Sequence, residues 1–552
     1  MNPPNSDVME KVVLSLCESI DTPRSLSVWL CFKYNQAALL ELPSADIATN
    51  DTGMFQLEYL ITEYLKKYKG LDTKIDTADV ALSKWRLAEV RCKQTNARFR
   101  ELKLRPTTGR VEAALFRAQR KIASVLGTLR PSVILDSCKW GPGATFDLRR
   151  DVATPDNKIS RTISVTNSAL PWFRAVVESD PHWAYCFLGE IPEGPFAFLP
   201  EYNPYKVVQG SRFLTVSKNA KTDRCIAAEP TGNSFLQQGV HSYMRRRLKR
   251  FGVDLDDQSI NQRLAQDAYS LGLSTLDLSA ASDSIASELI YHLLPLNWAL
   301  FLDSLRSHST CVRGEWIRTE KFASMGNAFC FELESLIFWA LASSVDETCS
   351  KDSVVSVYGD DIIVDRKAYN SVVELLEFCG FEVNSEKSYK EGNFFESCGK
   401  HFHRGHDVTP VFQKEVVIHP SEIIRAHNRL SRLSSRLIRG VALEPALRRL
   451  TKVYPLRPFP RIPYGVSEDG GFLRPLSEFS LDRNHGFRCH VLDYVPRFTE
   501  VREHAVYAYK LRRFSSLNPL NKGHAANVTK GRWRTKVRWV PEHAIGVLLP
   551  ES

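Results

Sequence analysis

The stretch that most constrains this chain is a Gly-Asp-Asp corner set between two β-branched runs. Val354 to Tyr358 and Ile362 to Val364 flank Gly359, Asp360 and Asp361. β-Branched residues favour strands and Gly-Asp favours a tight turn, so the segment predicts a β-hairpin with both carboxylates at its tip. Two carboxylates in one small volume repel unless a cation lies between them. A divalent ion fills that role, and hard oxygen ligands suit magnesium. Gly-Asp-Asp is also ordinary turn chemistry. Taken alone, the corner leaves a solvated turn and a metal site equally open.

A second acidic strand end upstream shifts the balance. Leu273 to Ser279 reads as a short strand carrying Asp277, and Ser279 to Ser284 supplies small capping residues before an apolar helical run from Ile285 to Leu294. If the two strands are neighbours, Asp277, Asp360 and Asp361 meet. Three carboxylates are the ligand set for two metal ions in phosphoryl transfer, where the attacking and leaving oxygens both need their charge neutralised. A basic loop fits the same chemistry. Phe213 to Ser217 reads as a strand, after which Lys218, Lys221 and Arg224 recur at even spacing. Converging, they form a clamp for a triphosphate, with lysine as point charge and arginine as fork. Apart, they are a solvated basic loop. The carboxylates downstream favour the clamp.

Composition bounds the rest. A chain of 552 residues has room for several subdomains, and 43% hydrophobic with 25% charged residues is ordinary for a soluble globular protein. The formal net charge of +10 fits a polyanionic partner. Apolar stretches such as Leu336 to Ala342 are too short to span a bilayer. The 12 cysteines include no Cys-x-x-Cys pair and no secretory signal stands at the N-terminus, which predicts reduced thiols in a cytosol.

Other segments carry weaker signals. Residues 1 to 130 read as mainly helical, with Val111, Leu115, Ala118, Ile122 and Val125 forming a core-facing stripe. Trp140 to Thr145 is a glycine loop without the Walker lysine, and reads as a structural turn. Arg245 to Arg250 lies on a helix, against nucleic-acid backbone or merely solvated. Cys398, His401, His403 and His406 match no common zinc spacing, and their alternation suggests strand faces. Arg425, Arg429, Arg432, Arg436 and Arg439 predict five guanidiniums along one helix face. Such a row needs anions; acidic neighbours from the fold could supply them, and RNA phosphates would do so better. Arg532 to Trp539 alternates basic with apolar residues, as an edge strand would.

Arg245 to Arg250, Asp257 to Gln266, Asp277 to Ile285 and Tyr358 to Asp361, in that order, resemble the replicase subunit of single-stranded RNA bacteriophages, the leviviruses, an RNA-directed RNA polymerase. Each piece is common; the ordered set is specific, and it runs from about residue 205 to 410. The resemblance implies an α+β right-hand polymerase with an antiparallel palm sheet. Residues 1–130 would be a helical region contributing to the fingers, 131–270 the fingers with the basic loop, 271–400 the palm and catalytic core, and 401–552 the thumb and a C-terminal extension. It implies an RNA template and product, ribonucleoside triphosphates, and two magnesium ions on Asp277, Asp360 and Asp361. It also implies host partners, namely elongation factors Tu and Ts and an RNA-binding small-subunit ribosomal protein, in the cytoplasm of the bacterial host.

The same resemblance assigns further residues. Ser324, Gly326 and Asn327, in the small-residue segment before a helix from Phe331 to Ser343, are candidate contacts to template and ribose, while Glu332 and Glu334 read as helix-surface charges. Asp283 either senses the ribose 2′-hydroxyl or is a helix N-terminal carboxylate favoured by the macrodipole; its spacing from Asp277 is longer than in related polymerases. Lys387 either protonates departing pyrophosphate or is a surface lysine. Two other readings remain. A reverse transcriptase shares the palm logic, but usually has a bulkier residue at the position of Gly359 and an aromatic gate where Ser279 to Ser284 are small or polar. A non-catalytic RNA-binding scaffold leaves the three acidic strand ends unexplained.

Overall fold

The computed structural model describes residues 6–36, 45–105, 109–141, 143–149, 152–153, 157–158, 162–178, 205–350, 352–466, 469–483, 485–498 and 528–541. The first part of the chain is helical: α1 (Ser6–Ile20), α2 (Pro23–Lys33), α3 (Thr52–Tyr64), α4 (Thr77–Leu104) and α5 (Arg110–Leu126). Asp51 and Asp76 start α3 and α4 by accepting hydrogen bonds from first-turn N–H groups. The predicted stripe on α5 forms, with Leu115, Ala118, Ile122 and Val125 buried. These helices contribute most of their buried residues to two large cores. Met9, Leu16, Leu60 and Tyr64 of α1 and α3 pack with Ile424, Leu430, Ala446 and Leu450 from the far end of the chain. Phe99 of α4 and Ile122 of α5 join the largest core, with Phe235, Trp298, Leu333, Phe338 and Val364. Smaller clusters take Phe55 and Tyr59 of α3, with Phe394, and Leu82 and Trp85 of α4, with Val312.

Mixed structure follows: β1 (Ser211–Ser217), β2 (Asp223–Ala228), α6 (Thr231–Arg250), α7 (Ser259–Leu271), β3 (Leu273–Leu276), β4 (Leu278–Ser279), β5 (Ser309–Val312), β6 (Glu315–Arg318), α8 (Cys330–Ala342), β7 (Val355–Tyr358), β8 (Asp361–Asp365), α9 (Tyr369–Phe378), β9 (Glu382–Val383), β10 (Phe394–Ser397) and β11 (Lys400–His403). The central sheet runs β3–β8–β7 and is antiparallel throughout. β4 continues from β3 after one residue and pairs with β9. β1 and β2 form a hairpin in a second sheet with β5 and β6. α8 packs beneath the central sheet. Its sequence is apolar nearly all round, which is the mark of a wholly buried helix. Gly380, φ +93°, ends the turn after α9, and a Cβ there would lie 2.2 Å from Thr95 Oγ1.

The last part comprises α10 (Pro420–Ser434), α11 (Glu444–Lys452), β12 (Gly486–Phe498) and β13 (Val528–Val540). α10 ends before Arg436 and Arg439, so the expected five-arginine helix face is three residues on a helix and two beyond it. Every member of the row meets a carboxylate of the fold. Arg425 lies 3.8 Å from Glu422, Arg429 2.7 Å from Glu415, Arg432 2.9 Å from Asp469, Arg436 3.3 Å from Asp407 and Arg439 3.2 Å from Asp51. β13 pairs antiparallel with β12 at a sheet edge, and its Lys536 lies 2.6 Å from Asp493; the side chains of Arg532 and Trp533 lie outside the described residues.

The basic run of α6 is also spent largely within the fold. Arg245 donates to Glu332 and Asp256, Arg247 to the carbonyls of Ser124 and Val125, and Lys249 pairs with Asp254. The glycine loop is a structural turn: buried Lys158 donates to the carbonyls of Gly141 and Gly143 at 2.5 and 2.7 Å. Among the described residues no helix is long and apolar enough to cross a membrane.

Candidate active site

The Gly-Asp-Asp corner is a two-residue hairpin turn. Tyr358 pairs with Asp361, and Gly359 at the first turn position has φ +62°, the left-handed region that favours glycine. Close packing adds a second reason for glycine, because a Cβ at 359 would come within 2.5 Å of the Phe331 ring on α8. The Gly359 N–H donates to buried Ser335 Oγ at 3.0 Å, fixing the tip to the same helix. On the other side of β8, Ile362 pairs with Leu276. Continuing that register by one residue sets Asp361 across from Asp277.

Asp277 stands between β3 and β4, and the segment after β9 holds it. Its N–H donates to Ser388 Oγ at 3.0 Å, its carbonyl accepts from the Asn384 N–H at 2.9 Å, and Oδ2 accepts from Asn384 Nδ2 at 2.8 Å. Asp361 Oδ1 accepts from Ser397 Oγ at 3.3 Å, and its carboxyl accepts from the Cys398 N–H. Burial pushes the Asp277 carboxyl up to about 6, with Asp360 adding to the rise and Lys387 and Asn384 opposing it. Burial and the neighbouring Asp360 push Asp361 up to about 7. Asp360 is also raised by burial, against the pull of Arg224, Lys218 and Lys387. The three carboxylates therefore lie within reach of one another's charge, in surroundings that penalise that charge. They are not drawn into a closed cage, since among the described residues no three His, Cys, Asp or Glu side chains are grouped to hold an ion.

The cations converge in part. Lys218 follows β1, Arg224 lies in β2, and both act on Asp360. Burial lowers Lys218, with Arg224 and Lys387 adding to that and Asp277 opposing it. Lys221 lies in the connecting turn, where its N–H donates to Asn219 Oδ1. Lys387 is exposed along its side chain, yet its ammonium is turned toward the carboxylates of this site. Its Nζ is 3.1 Å from Glu396 Oε1, and although burial opposes the charge, Glu396, Asp277 and Asp361 hold it above the usual lysine value.

Residues 7–470 match the family model for the RNA replicase beta-chain. The chain belongs to that family. The replicase is 36% identical over 471 residues to the RNA-directed RNA polymerase subunit beta of Enterobacteria phage SP, across 83% of this chain and 78% of that one. It is 39% identical over 389 residues to the corresponding subunit of Escherichia virus Qbeta, across 68% of this chain and 62% of that one. Against the beta chain of Enterobacteria phage fr it is 36% identical over 423 residues, 75% and 74% of the two chains. The RNA-dependent RNA polymerase of bacteriophage phi12 aligns with a TM-score of 0.38 at 13% identity, over 71% of this chain and 70% of that one. The replicase is an α+β right-hand polymerase with β3–β8–β7 as its antiparallel palm sheet. Membership in this family sets aside the reverse transcriptase and scaffold readings.

Around the replicase's three aspartates, the remaining residues fall as follows. Asp283 sits in a tight 3₁₀ turn, Ala281–Ser284, and Oδ1 accepts from Lys321 Nζ at 2.7 Å. Lys321 is only 1% exposed, lies 3.4 Å from Glu89 and stacks over the Trp85 ring at 4.6 Å. Asp283 is therefore one arm of a buried ion cluster joining α4 to the palm, and heads no regular α-helix. Gly326, φ +112°, lets its loop lie against β2, where a Cβ would meet the Ala227 carbonyl at 2.2 Å. The Asn327 N–H donates to the Ser324 carbonyl at 3.0 Å, and buried Nδ2 of Asn327 has no hydrogen-bond partner among the described residues.

Glu332 and Glu334 are not surface charges. They are 0% and 5% exposed, Glu332 bound by Arg245 and His241, and Glu334 accepting from Ser282 Oγ at 2.7 Å. Burial pushes Glu334 up to about 8, with Asp360 among the charges it feels. The all-round apolar character of α8 was the signal that predicts their burial. Asn384, Glu396 and Ser397 also serve the site; no spacing in the sequence marks them, because each acts through a strand pairing. His401 and His403 bond Tyr59 and Thr52 through Nδ1.

Proposed function

We propose that this RNA-directed RNA polymerase extends RNA by metal-assisted nucleotidyl transfer at Asp277, Asp360 and Asp361. The observation that carries the reading is the β3–β8–β7 register, which sets Asp361 across from Asp277 beside the Asp360 corner. The donor set fits two magnesium ions: three hard carboxylates, each raised by burial, whose ionised form a cation among them would favour. When bound, the ions lower the pKa of the attacking 3′-hydroxyl and neutralise the leaving pyrophosphate.

Lys218, Arg224 and, from the turn, Lys221 neutralise the triphosphate as it settles against Asp360. The 3′-hydroxyl releases its proton to solvent, its oxygen bonds to the α-phosphorus, and the bridging bond to the β-phosphate breaks with its electron pair leaving on pyrophosphate. Lys387, kept protonated by Glu396 and Asp277, gives its proton to the departing pyrophosphate. Asp283, Ser324, Gly326 and Asn327 meet the nucleotide's sugar and base, and the unpaired Nδ2 of Asn327 supports that role. RNA is template and product. The fingers span 131–270 with help from 1–130, the palm 271–400, and the thumb and its extension 401–552. The chain works in the cytoplasm of a bacterial host with elongation factors Tu and Ts and an RNA-binding small-subunit ribosomal protein.

Asp360→Asn tests the reading. It removes one charge and keeps the shape, so template-dependent ribonucleotide incorporation is expected to fall by at least about 1,000-fold while RNA binding persists. Turnover equal to the parent chain in that assay would exclude the metal role.

A further inference from the structure

We infer that Asn261 and Ser397 form a positioning relay that decides which carboxylate oxygen Asp361 presents to the metal site. The inference rests on the reading of Asp361 as a metal ligand. Asn261 lies in the first turn of α7 and is 2% exposed. Its Nδ2 donates to the Asp361 carbonyl at 3.2 Å and to Ser397 Oγ at 3.5 Å, and its Oδ1 accepts from Ser356 Oγ at 2.6 Å. Ser397, 1% exposed at the end of β10, donates from Oγ to Asp361 Oδ1 at 3.3 Å.

The chemistry of the donors and acceptors fixes most of the proton directions here. A backbone carbonyl can only accept, so the amide nitrogen of Asn261 must face Asp361. The amide oxygen then faces Ser356, which must donate. Ser397 receives an amide proton on its oxygen, and its own hydroxyl proton has two acceptors in reach, Asp361 Oδ1 at 3.3 Å and Cys398 Sγ at 3.8 Å, of which the carboxylate is the stronger. The Cys398 N–H also donates to the Asp361 carboxyl. With Oδ1 occupied in this way, Oδ2 is the oxygen left to face Asp277 and the cations. One amide thus ties β7, β8 and β10 together on α7, and Gln262 adds a second hold, donating from Nε2 to the Cys398 carbonyl at 3.1 Å. Partners that orient a ligand in this way typically matter by roughly 10- to 100-fold in metal affinity.

The test is Mn2+ binding to the full-length chain, followed by electron paramagnetic resonance without RNA or nucleotide. Ser397→Ala deletes one hydroxyl, and Asn261→Ala deletes the head of the relay. Each is expected to weaken Mn2+ binding by roughly 10-fold or more, while Ser397→Thr, which keeps the hydroxyl, stays within about two-fold of the parent. Melting curves identify the folded variants, and either one decides the question. Ser397→Ala binding Mn2+ within about two-fold of the parent overturns the relay. Asp361→Asn separates the two levels. If it also binds like the parent, the metal reading fails; if it loses Mn2+ while the Ser397 and Asn261 variants do not, only the relay fails.

Discussion

An aspartate in an unfolded chain titrates at about 3.9, whereas Asp277 and Asp361 are pushed up to about 6 and about 7 in the fold. Between about pH 4 and pH 7 the folded chain therefore holds protons that the unfolded chain has released, and stability falls as pH rises through that window. The contribution is fully present below about pH 4 and is gone once pH passes about 7. A divalent cation competes with those protons and binds the ionised carboxylates. Magnesium should raise the melting temperature more at pH 8 than at pH 5.5, by the mass-action gain of a ligand that binds only the folded state. Thermal scans with and without magnesium at the two pH values measure this. An equal shift at both, or a shift that Asp361→Asn leaves untouched, would show that the ion binds elsewhere. These residues were legible because a strand–turn–strand pattern fixes where Asp360 and Asp361 point. Lys387 was legible only as a choice between two roles, because the carboxylate that holds it, Glu396, reaches it from another strand.

At the scale of elements, local pattern predicted well and partners did not. The hairpin at 359–360, the strand alternation around His401 and His403, and the stripe of α5 all form as the sequence pattern dictates. The arginine row was read correctly as needing anions, but Asp51, Asp407, Glu415 and Asp469 come from loops and strands that no helical spacing identifies. Since the fold neutralises the row, its loss should cost stability rather than RNA affinity. Arg429 donates to both oxygens of Glu415 and to the Phe412 carbonyl, on a partly exposed surface. Arg429→Ala should cost about 1–2 kcal/mol in urea unfolding. The slope of RNA binding against salt should stay within the roughly 0.7 that one single-strand phosphate contact contributes. A slope lowered by that much, with stability intact, would return Arg429 to the RNA. Lys321 makes a stronger case. Lys321→Met strands Asp283 and Glu89 without their buried cation, and should cost about 3–5 kcal/mol. A change below about 1 kcal/mol would mean the cluster relaxes into water.

At the scale of the whole molecule, the N-terminal helix is held by a helix from the last quarter of the chain. α1 lies on α11, and Ser19 Oγ donates to the Ala442 carbonyl at 2.6 Å across a sequence separation of 423 residues. Met9, Val13 and Leu16 share one core with Ala446 and Leu450, all 0% exposed. Sequence patterning can say that α1 has an apolar face, but not which distant helix covers it. Two helices that bury each other's faces should open together, because either one alone would leave apolar surface in water. Leu16→Ala removes atoms from the middle of this contact and should cost about 3–5 kcal/mol of local stability. Amide hydrogen exchange should then quicken in residues 9–20 and 444–452 by similar factors. The palm strands at 273–276 and 361–365 belong to other hydrophobic clusters and should keep their protection. Faster exchange confined to the first helix would mean that α11 is stable without it and that the two ends merely touch.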